Sequence, residues 1–449
     1  MKISIVVLLL AVYSVFGAKK TARILYSGSS LGSYTTCGCP SNPTGGLPRM
    51  ANFVKEQNQQ FGDPLILDAG NFSSKTGRQK AVLTEYFMKG MAILKYDAVL
   101  VGGAEIETGL SEIMRFNKES KLPLISSNLV DSKGNRPFSS VIKVKNVVKG
   151  LDALIVGLTA PTQFVKTDSV AAYKILDPLE TFSKISAAER KKGVAIIVLT
   201  DMKESMLEKF LQAQKGADLV IVAADYAYRE MPSLVNGAQV VSSFPETRNM
   251  GVVSFDVADD SLLSFTGFNE PMASKYEKHK QMDSLFKAYD KALGGVKFKH
   301  PRPSDAQKLY AGSEACAECH RDPVAKERNG KHVKAFSILE KTGNSYNPSC
   351  LKCHVTGYER ENGFWDVETS MDMAGVQCEE CHGPQMAHVR EERRRAFGSV
   401  DFTGMDQSKS SRQNKPYKVG FYKCAHCHTG EFKLIKTPEE AWKEIGHSK

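Results

Sequence analysis

The last third of this 449-residue chain carries one five-residue pattern four times, Cys-x-x-Cys-His. The copies are Cys316, Cys319 and His320; Cys350, Cys353 and His354; Cys378, Cys381 and His382; and Cys424, Cys427 and His428. Such a pattern attaches a c-type haem, since both thiols bond to the porphyrin and the imidazole then binds the iron. Structural zinc sites also use paired cysteines, but they do not require a histidine after every second one. We therefore predict four covalently attached haems c.

The first residues have the pattern of a secretory signal peptide. Lys2 precedes an apolar run over residues 3–16, and the small residues Gly17 and Ala18 follow. This run is shorter than the roughly 20 residues that span a bilayer, and no later stretch is long enough either. We expect residues 1–17 to be a signal peptide and the chain to be exported to the periplasm or cell surface, without a transmembrane segment.

The formal net charge of +10 could indicate nucleic acid as a partner. Each haem carries two propionates, however, so four haems offset roughly eight positive charges. The net charge therefore does not lead us to expect nucleic acid as a partner. Because the chain carries haem-attachment motifs, we expect redox proteins as its partners.

Apolar runs alternate with amphipathic segments over residues 20–270, which predicts an α/β domain. Helices are expected at residues 47–59, 81–95, 109–119 and 206–215, and an antiparallel strand pair at residues 251–257 and 262–268. A helical linker follows over residues 271–306, and residues 307–449 form a mainly α, loop-rich haem domain. That domain is short for four macrocycles, so the haems must supply much of its core and lie close together, which suits electron transfer.

Each haem iron has a second face that another histidine can occupy. Six histidines lie outside the attachment motifs: His279, His300, His332, His388, His426 and His447. The first two precede the haem region, and His426 lies within its own attachment loop. His332, His388 and His447 can therefore complete three haems, and one haem is left without an obvious histidine partner.

The haem region resembles the tetrahaem cytochrome c-554 family. The matching segments are residues 316–320 followed by His332 and Ala335, residues 350–358, residues 375–384 followed by Ala387 and His388, residues 424–429, and residues 442–447. The resemblance covers nearly all of residues 309–449. It implies three haems with two histidine ligands and a five-coordinate second haem.

Carried over by position, the resemblance implies these ligand pairs: His388 on the haem of His320, His332 on the haem of His382, and His447 on the haem of His428. The haem of His354 is then the open one. It could bind a small nitrogen or sulfur species, or it could be a relay whose sixth position is blocked by a side chain. A methionine could also complete it, and the nearby candidates are Met371, Met373 and Met386.

The first domain resembles the metallophosphatase and 5'-nucleotidase family, which implies a layered αββα sheet domain. The landmarks are residues 24–26, 37–39, 45–49, 65–70, 96–105 and 218–222. The chemistry of that family requires two divalent metals that hold an attacking water and polarise a phosphate.

The metal-ligand positions of that family are altered in this chain. The expected Asp-x-His after the first strand is replaced at residues 29–31, and the Gly-Asn-His-Glu block reads Gly-Gly-Ala-Glu at residues 102–105. The expected later histidine falls at Thr200 or Asp201, and a Gly-His-x-His block is replaced at residues 224–227. A two-metal hydrolase is not expected. The remaining ligand candidates, which could hold one hard cation or serve structural roles, are Asp68, Asn71, Glu105 and Asp225.

Cys37 and Cys39 lie one residue apart in a glycine-rich loop. In an exported protein they could form a strained, redox-labile disulfide or bind a metal. Alternatively, the loop is structural and came with the scaffold.

The sequence thus indicates an exported tetrahaem cytochrome that transfers electrons, with a phosphatase-like domain for docking or recognition. An oxidoreductase that acts on a small nitrogen or sulfur species at the haem of His354 is the first alternative. A metal-dependent phosphoesterase is the second.

Overall fold

The structure is a computed structural model. It describes residues 20–36, 43–74, 79–148, 150–161, 173–191, 193–223, 229, 231–258, 261–295, 308–397, 424, 427 and 428.

Fourteen strands are defined in these ranges. In chain order they are β1 (Lys20–Ser27), β2 (Leu65–Asp68), β3 (Ala98–Leu100), β4 (Leu124–Ile125), β5 (Leu129–Asp131), β6 (Val141–Val148), β7 (Leu151–Leu158), β8 (Tyr173–Ile175), β9 (Val194–Thr200), β10 (Leu219–Ala223), β11 (Ser233–Val235), β12 (Ala238–Ser243), β13 (Asn249–Ala258) and β14 (Ser261–Pro271).

Seven of the α-helices defined in these ranges precede the haem region and six lie within it. The first seven are α1 (Leu47–Phe61), α2 (Lys80–Leu94), α3 (Gly103–Thr108), α4 (Leu110–Ser120), α5 (Pro178–Glu189), α6 (Glu204–Ala213) and α7 (Lys280–Gly295). The haem region contains α8 (Ser313–Ala317), α9 (Arg321–Arg328), α10 (Ala335–Thr342), α11 (Pro348–His354), α12 (Cys378–His382) and α13 (Met386–Phe397). None of the described helices is long and apolar enough to cross a membrane.

Two six-stranded sheets organise the first domain. Their strand orders are β14-β13-β1-β2-β3-β4 and β11-β12-β10-β9-β7-β6, and β5 pairs separately with β8. Strands β1 to β4 are mutually parallel, as are β7, β9, β10 and β12, whereas the outer strands add antiparallel pairs. The carboxyl ends of the parallel strands in each sheet therefore share one edge.

The apolar side chains of these strands form a four-layer αββα arrangement. Ile24 and Leu67 of the first sheet pack against Ile155 and Ile197 of the second, in a core between the sheets. Other clusters fill the space between each sheet and its helices. The layered α/β fold that the sequence predicts is confirmed, and so is the antiparallel β13–β14 pair.

The helix expected between the domains is α7, which packs on the first domain's outer face. Its buried residues Met282, Phe286, Tyr289 and Leu293 belong to the cluster that covers the first sheet. Their spacing at i, i+4, i+7 and i+11 places them on one helix face.

Helix α5 and strand β6 were missed in the sequence. Helix α5 begins at Pro178, and Asp177 caps it by accepting a hydrogen bond from the backbone N–H of Glu180 at 2.7 Å. This Asp-Pro start is a recognisable helix signal. Strand β6 is an edge strand with only partly buried or exposed side chains, so it lacks the continuous apolar run of the central strands.

The haem region has a small apolar core among the described residues. Seven buried side chains form it, namely Tyr310, Phe336, Leu339, Leu351, Val355, Phe364 and Met373. Short helices joined by turns surround this cluster, as expected for a loop-rich domain.

Candidate functional site: the haem-attachment motifs and the altered phosphatase edge

Each attachment motif is built on one helical turn. In the first motif, the backbone N–H of His320 donates to the Cys316 carbonyl at 2.8 Å, and in the fourth motif the His428 N–H donates to Cys424 at 2.8 Å. The second and third motifs lie in α11 and α12. Because residues i, i+3 and i+4 of a helix share a face, this turn aims both thiols and the imidazole to one side.

The fold brings together motifs that are not neighbours in the sequence. The sulfurs of Cys316 and Cys378, from the first and third motifs, lie within hydrogen-bond distance. Cys353 and Cys427, from the second and fourth motifs, form a similar pair. The haem region is thus organised as two pairs of attachment sites.

His320 and His388 lie close together in the structure. Their ring centroids lie 6.3 Å apart. Two metal–imidazole bonds of about 2 Å and two ring radii of about 1.1 Å add up to about 6 Å, so this spacing fits one iron between two imidazoles. Helix α13 holds His388 opposite the first motif through Arg393, which donates to Glu318 at 3.0 Å.

The ring that faces His332 is that of His428, and the centroids are 6.1 Å apart. This neighbour differs from the one that the resemblance implies, which is the haem of His382, and the pairing of His332 with His382 stays a prediction. The Val376 N–H donates to the His332 carbonyl at 3.0 Å, which fixes the loop before α10 next to the segment that leads into the third motif. Burial, and to a lesser extent His428, lower the pKa of His332, which favours the neutral, ligating imidazole.

His354 is oriented by the backbone. Its Nδ1 lies 2.8 Å from the carbonyl oxygen of Ala335, which can only accept, so Nδ1 donates and Nε2 is left for iron. In the described part of the chain no histidine ring faces His354. Among the methionine candidates, Met373 is buried in the core cluster beside Leu351, whereas Met371 is 44% exposed.

Two glutamates within the third motif were missed as structural residues. Glu379 is buried, and its carboxylate accepts backbone N–H bonds from Ala311, Gly312 and Gln385 at 2.7–3.0 Å. Glu380 accepts from the Gly357 N–H at 2.8 Å. These bonds tie the third motif to the start of the haem region and to the turn after the second motif. The presence of two acidic residues between the cysteines of the third motif was the sequence signal that could have indicated this structural role.

At the carboxyl edge of the first sheet, Glu105 bonds to backbone groups. Its Oε2 accepts from the N–H groups of Gly102 at 2.8 Å and Asn71 at 3.0 Å, and its Oε1 accepts from Ser73 at 2.8 Å. The side chain is completely buried. Burial raises the pKa of Glu105 to about 7, although the three N–H donors act in the opposite direction.

The other candidate ligands of this edge are engaged in the same way. Asp201 accepts from the N–H groups of Gly103 at 2.7 Å and Ala160 at 2.6 Å, which ties the second sheet to α3. Asp68 accepts from the Ser27 hydroxyl at 2.6 Å, and burial raises its pKa to about 6. Asn71 Oδ1 accepts from the Ala104 N–H at 3.0 Å.

The residues of this edge are therefore used to hold backbone. A Cβ on Gly102 would lie 2.8 Å from Asn71 Oδ1 and 2.9 Å from Asp201 Oδ2, so glycine permits the close approach of these side chains. Within the described ranges no group of three His, Cys, Asp or Glu side chains is placed to hold a metal ion. Cys37, Cys39, Asp225 and His447 lie outside the described residues.

The two parts of the chain are similar to different known proteins. Residues 315–383 match the family model "Cytochrome c554 and c-prime". Cytochrome c-554 of Nitrosomonas europaea is 24% identical over 135 residues, which cover 26% of this chain and 57% of that protein. The cytochrome c554 family implies covalently bound haem c, and the histidine spacings above fit that group.

The first domain is similar to 5'-nucleotidases. That of Vibrio vulnificus is 26% identical over 152 residues, which cover 33% of this chain and 27% of that protein. The crystal structure of a 5'-nucleotidase precursor from Thermus thermophilus matches with a TM-score of 0.53 and 19% identity, over 65% of this chain and 61% of that one. The chain thus spans about a quarter to three fifths of the length of these relatives. The structural likeness establishes the 5'-nucleotidase and metallophosphatase fold.

Proposed function

We propose that this chain is an exported tetrahaem c-type cytochrome that transfers electrons between redox proteins. The observation that carries the proposal is the set of four attachment turns together with two imidazole pairs at the spacing of a shared iron. A match to a c-type cytochrome family supports it.

Each haem supplies an iron that changes between ferrous and ferric states. The residues of the chain hold the four groups close together. The imidazoles of His320 and His388, and those of His332 and His428, would hold iron as two pairs of ligands. The closeness of Cys316 to Cys378 and of Cys353 to Cys427 would bring the first attachment site beside the third and the second beside the fourth. Such proximity favours electron transfer within the domain.

The first domain serves recognition or docking in this proposal. Its phosphatase-like edge lacks imidazoles, and Glu105, Asp201 and Asn71 bond to backbone N–H groups. In the described part of this edge these side chains are occupied by backbone hydrogen bonds, and we infer that the edge does not hold two divalent metals.

Redox titration of the purified mature protein, followed by optical and EPR spectroscopy, tests the proposal. Haem and metal are quantified in the same sample, and N-terminal sequencing determines whether residues 1–17 are removed. Four haems without stoichiometric divalent metal are expected. Fewer haems, or two divalent metals per chain, would contradict it.

The His332→Ala variant tests the ligand pairing. Loss of this imidazole should convert one low-spin haem to high spin, and a crystal structure of the variant should locate it at His428 and not at His382. Lys331→Ala, an exposed neighbour, is the matched control and should leave the EPR spectrum unchanged.

An oxidoreductase that acts on a small nitrogen or sulfur species is the second candidate. It is favoured by the absence of a facing histidine ring at His354 in the described chain. Carbon monoxide should then bind to the reduced protein and change its optical spectrum, and a small substrate should turn over. An unchanged spectrum would leave only the electron carrier.

A further inference from the structure

A pocket lies where the first domain meets the haem region. It has a volume of about 120 Å³ and is formed by the loop after β1, the start of α1, one face of α7 and the end of α10. Its walls include Tyr34, Arg49, Lys278, Phe286, Lys287 and Asp290. This space is large enough for several water molecules or a small polyatomic ion.

The charges of the lining favour an anion. Asp283 is shared by two lysines, since its carboxylate lies 2.8 Å from Lys287 Nζ and 3.9 Å from Lys278 Nζ. Asp290 accepts a hydrogen bond from the Tyr34 hydroxyl at 2.6 Å. Burial raises the pKa of Asp290 to about 6, so this carboxyl is still mostly ionised at pH 7 and counts as one of the two negative charges in the lining. Together with Arg49, the cationic groups outnumber the carboxylates.

Arg49 is the buried cation of this site. It is only 8% exposed, and its Nη1 donates to the carbonyl oxygens of Pro43 and Met272. Its Nε is buried and has no hydrogen-bond acceptor in the part of the chain that the structure describes. The guanidinium thus contributes a largely buried positive charge to the pocket lining, which a bound oxyanion would help to compensate.

The pocket adjoins the second attachment motif. Phe286 stacks on Tyr34 at 4.3 Å between ring centroids, and Tyr289 contacts Tyr34 at 5.1 Å. Cys350 lies close enough to Tyr34, Tyr289 and Asp290 to interact with them electrostatically, so the second attachment motif is near the pocket wall. The Tyr358 hydroxyl donates to Gln79 at 3.2 Å and holds the same motif on the first domain.

We propose that this pocket binds a small oxyanion, such as phosphate, sulfate or sulfite, next to the second haem. Arg49, Lys278 and Lys287 supply the positive charge, and the aromatic cluster of Tyr34, Phe286 and Tyr289 separates the anion from the Cys350 attachment point. The haem-linked part of this inference rests on the proposed function, whereas anion binding does not.

The test is isothermal titration calorimetry of the haem-loaded full chain with phosphate, sulfate and sulfite. The double variant Lys278→Gln/Lys287→Gln should weaken binding about tenfold, because two partly exposed cation contacts are lost. Lys291→Gln is the matched control, since Lys291 is an exposed residue of the same helix outside the pocket, and it should bind as the original chain does.

A redox titration of the same proteins gives the second readout. An anion stabilises the ferric state of a nearby haem, so saturating phosphate should lower the midpoint potential of one haem, and the double variant should lose this shift. A tenfold tighter binding to the oxidised protein corresponds to about 59 mV for a one-electron couple.

Two results would overturn the inference: no binding of any of the three anions, or equal affinities in the double variant and the control. If four haems titrate normally and no anion binds, the inference fails and the proposed function stands. If anions bind at the pocket but the haems do not exchange electrons, the proposed function fails instead.

Discussion

The two parts of this chain obtain their cores differently. The first domain has three apolar clusters that fill the spaces between two sheets and their helices. In the described haem region, seven buried side chains form a single cluster. The first domain therefore obtains its compact fold from its own side chains. We infer that the haem region folds around covalently attached groups.

Polar side chains also have different roles in the two parts. At the strand ends of the first domain, carboxylates such as Glu105 and Asp201 are saturated by backbone N–H groups. In the haem region, the imidazoles of His320 and His332 each face a second imidazole at iron spacing. The carboxylates stabilise the backbone of the first domain, whereas the imidazoles are placed, we infer, to bind a prosthetic group.

The largest expected effect is that of producing the full chain without haem attachment. We expect the first domain to keep its protected amides, because its clusters contain no haem-attachment residues. Residues 308–397 should exchange rapidly, because their core depends on the haems. Hydrogen exchange followed by mass spectrometry measures both regions in one sample, with the haem-loaded protein as control. Equal protection of α10 in both forms would remove the distinction.

A smaller effect, confined to the first domain, is expected from Gly251→Ala. A Cβ at this position would lie 1.9–2.3 Å from ring atoms of Tyr26, so the core between the sheets must be displaced. The free energy of unfolding of this domain should fall by about 3 kcal/mol. Urea denaturation followed by far-UV circular dichroism measures it, and haem absorption should not change. Tyr26→Ala combined with Gly251→Ala should cost less than the sum of the single changes, and strict additivity would argue against the contact.

The free energy of unfolding of the first domain should also depend on pH through Glu105. This effect is expected to be smaller than that of Gly251→Ala. Its folded pKa, about 7, lies above the ordinary value of 4.5, so the protonated form is favoured by folding. The contribution is full below pH 4.5 and is lost as the pH rises through 7, which lowers the free energy of unfolding by on the order of 1–3 kcal/mol. Asp68, with a folded pKa of about 6, acts in the same direction.

Urea denaturation at several values between pH 4.5 and 7.5 checks this dependence. Glu105→Gln should flatten it, whereas Glu107→Gln, an exposed change in the same helix, should not. Identical profiles for the two variants would mean that Glu105 does not titrate in this range.

Structural features that depend on a few consecutive residues could be predicted from the sequence. Contacts between residues that are distant in the sequence were harder to predict. The start of α1 at Leu47 and the four attachment motifs follow from local patterns. The facing of His332 and His428 depends on how distant segments pack, and the sequence did not indicate it. The use of Glu105 as an acceptor for three N–H groups was also beyond the sequence, because its partners come from two separate loops.

The facing of His332 and His428 also sets an order of biogenesis. His332 lies near the start of the haem region, whereas His428 lies close to the end of the chain. Since domains fold as units while the chain is made from its N-terminus, the phosphatase-like domain has its full sequence long before this ring pair can form. A chain that stops before the fourth motif would consequently contain the complete first domain but lack one ring of the His332–His428 pair.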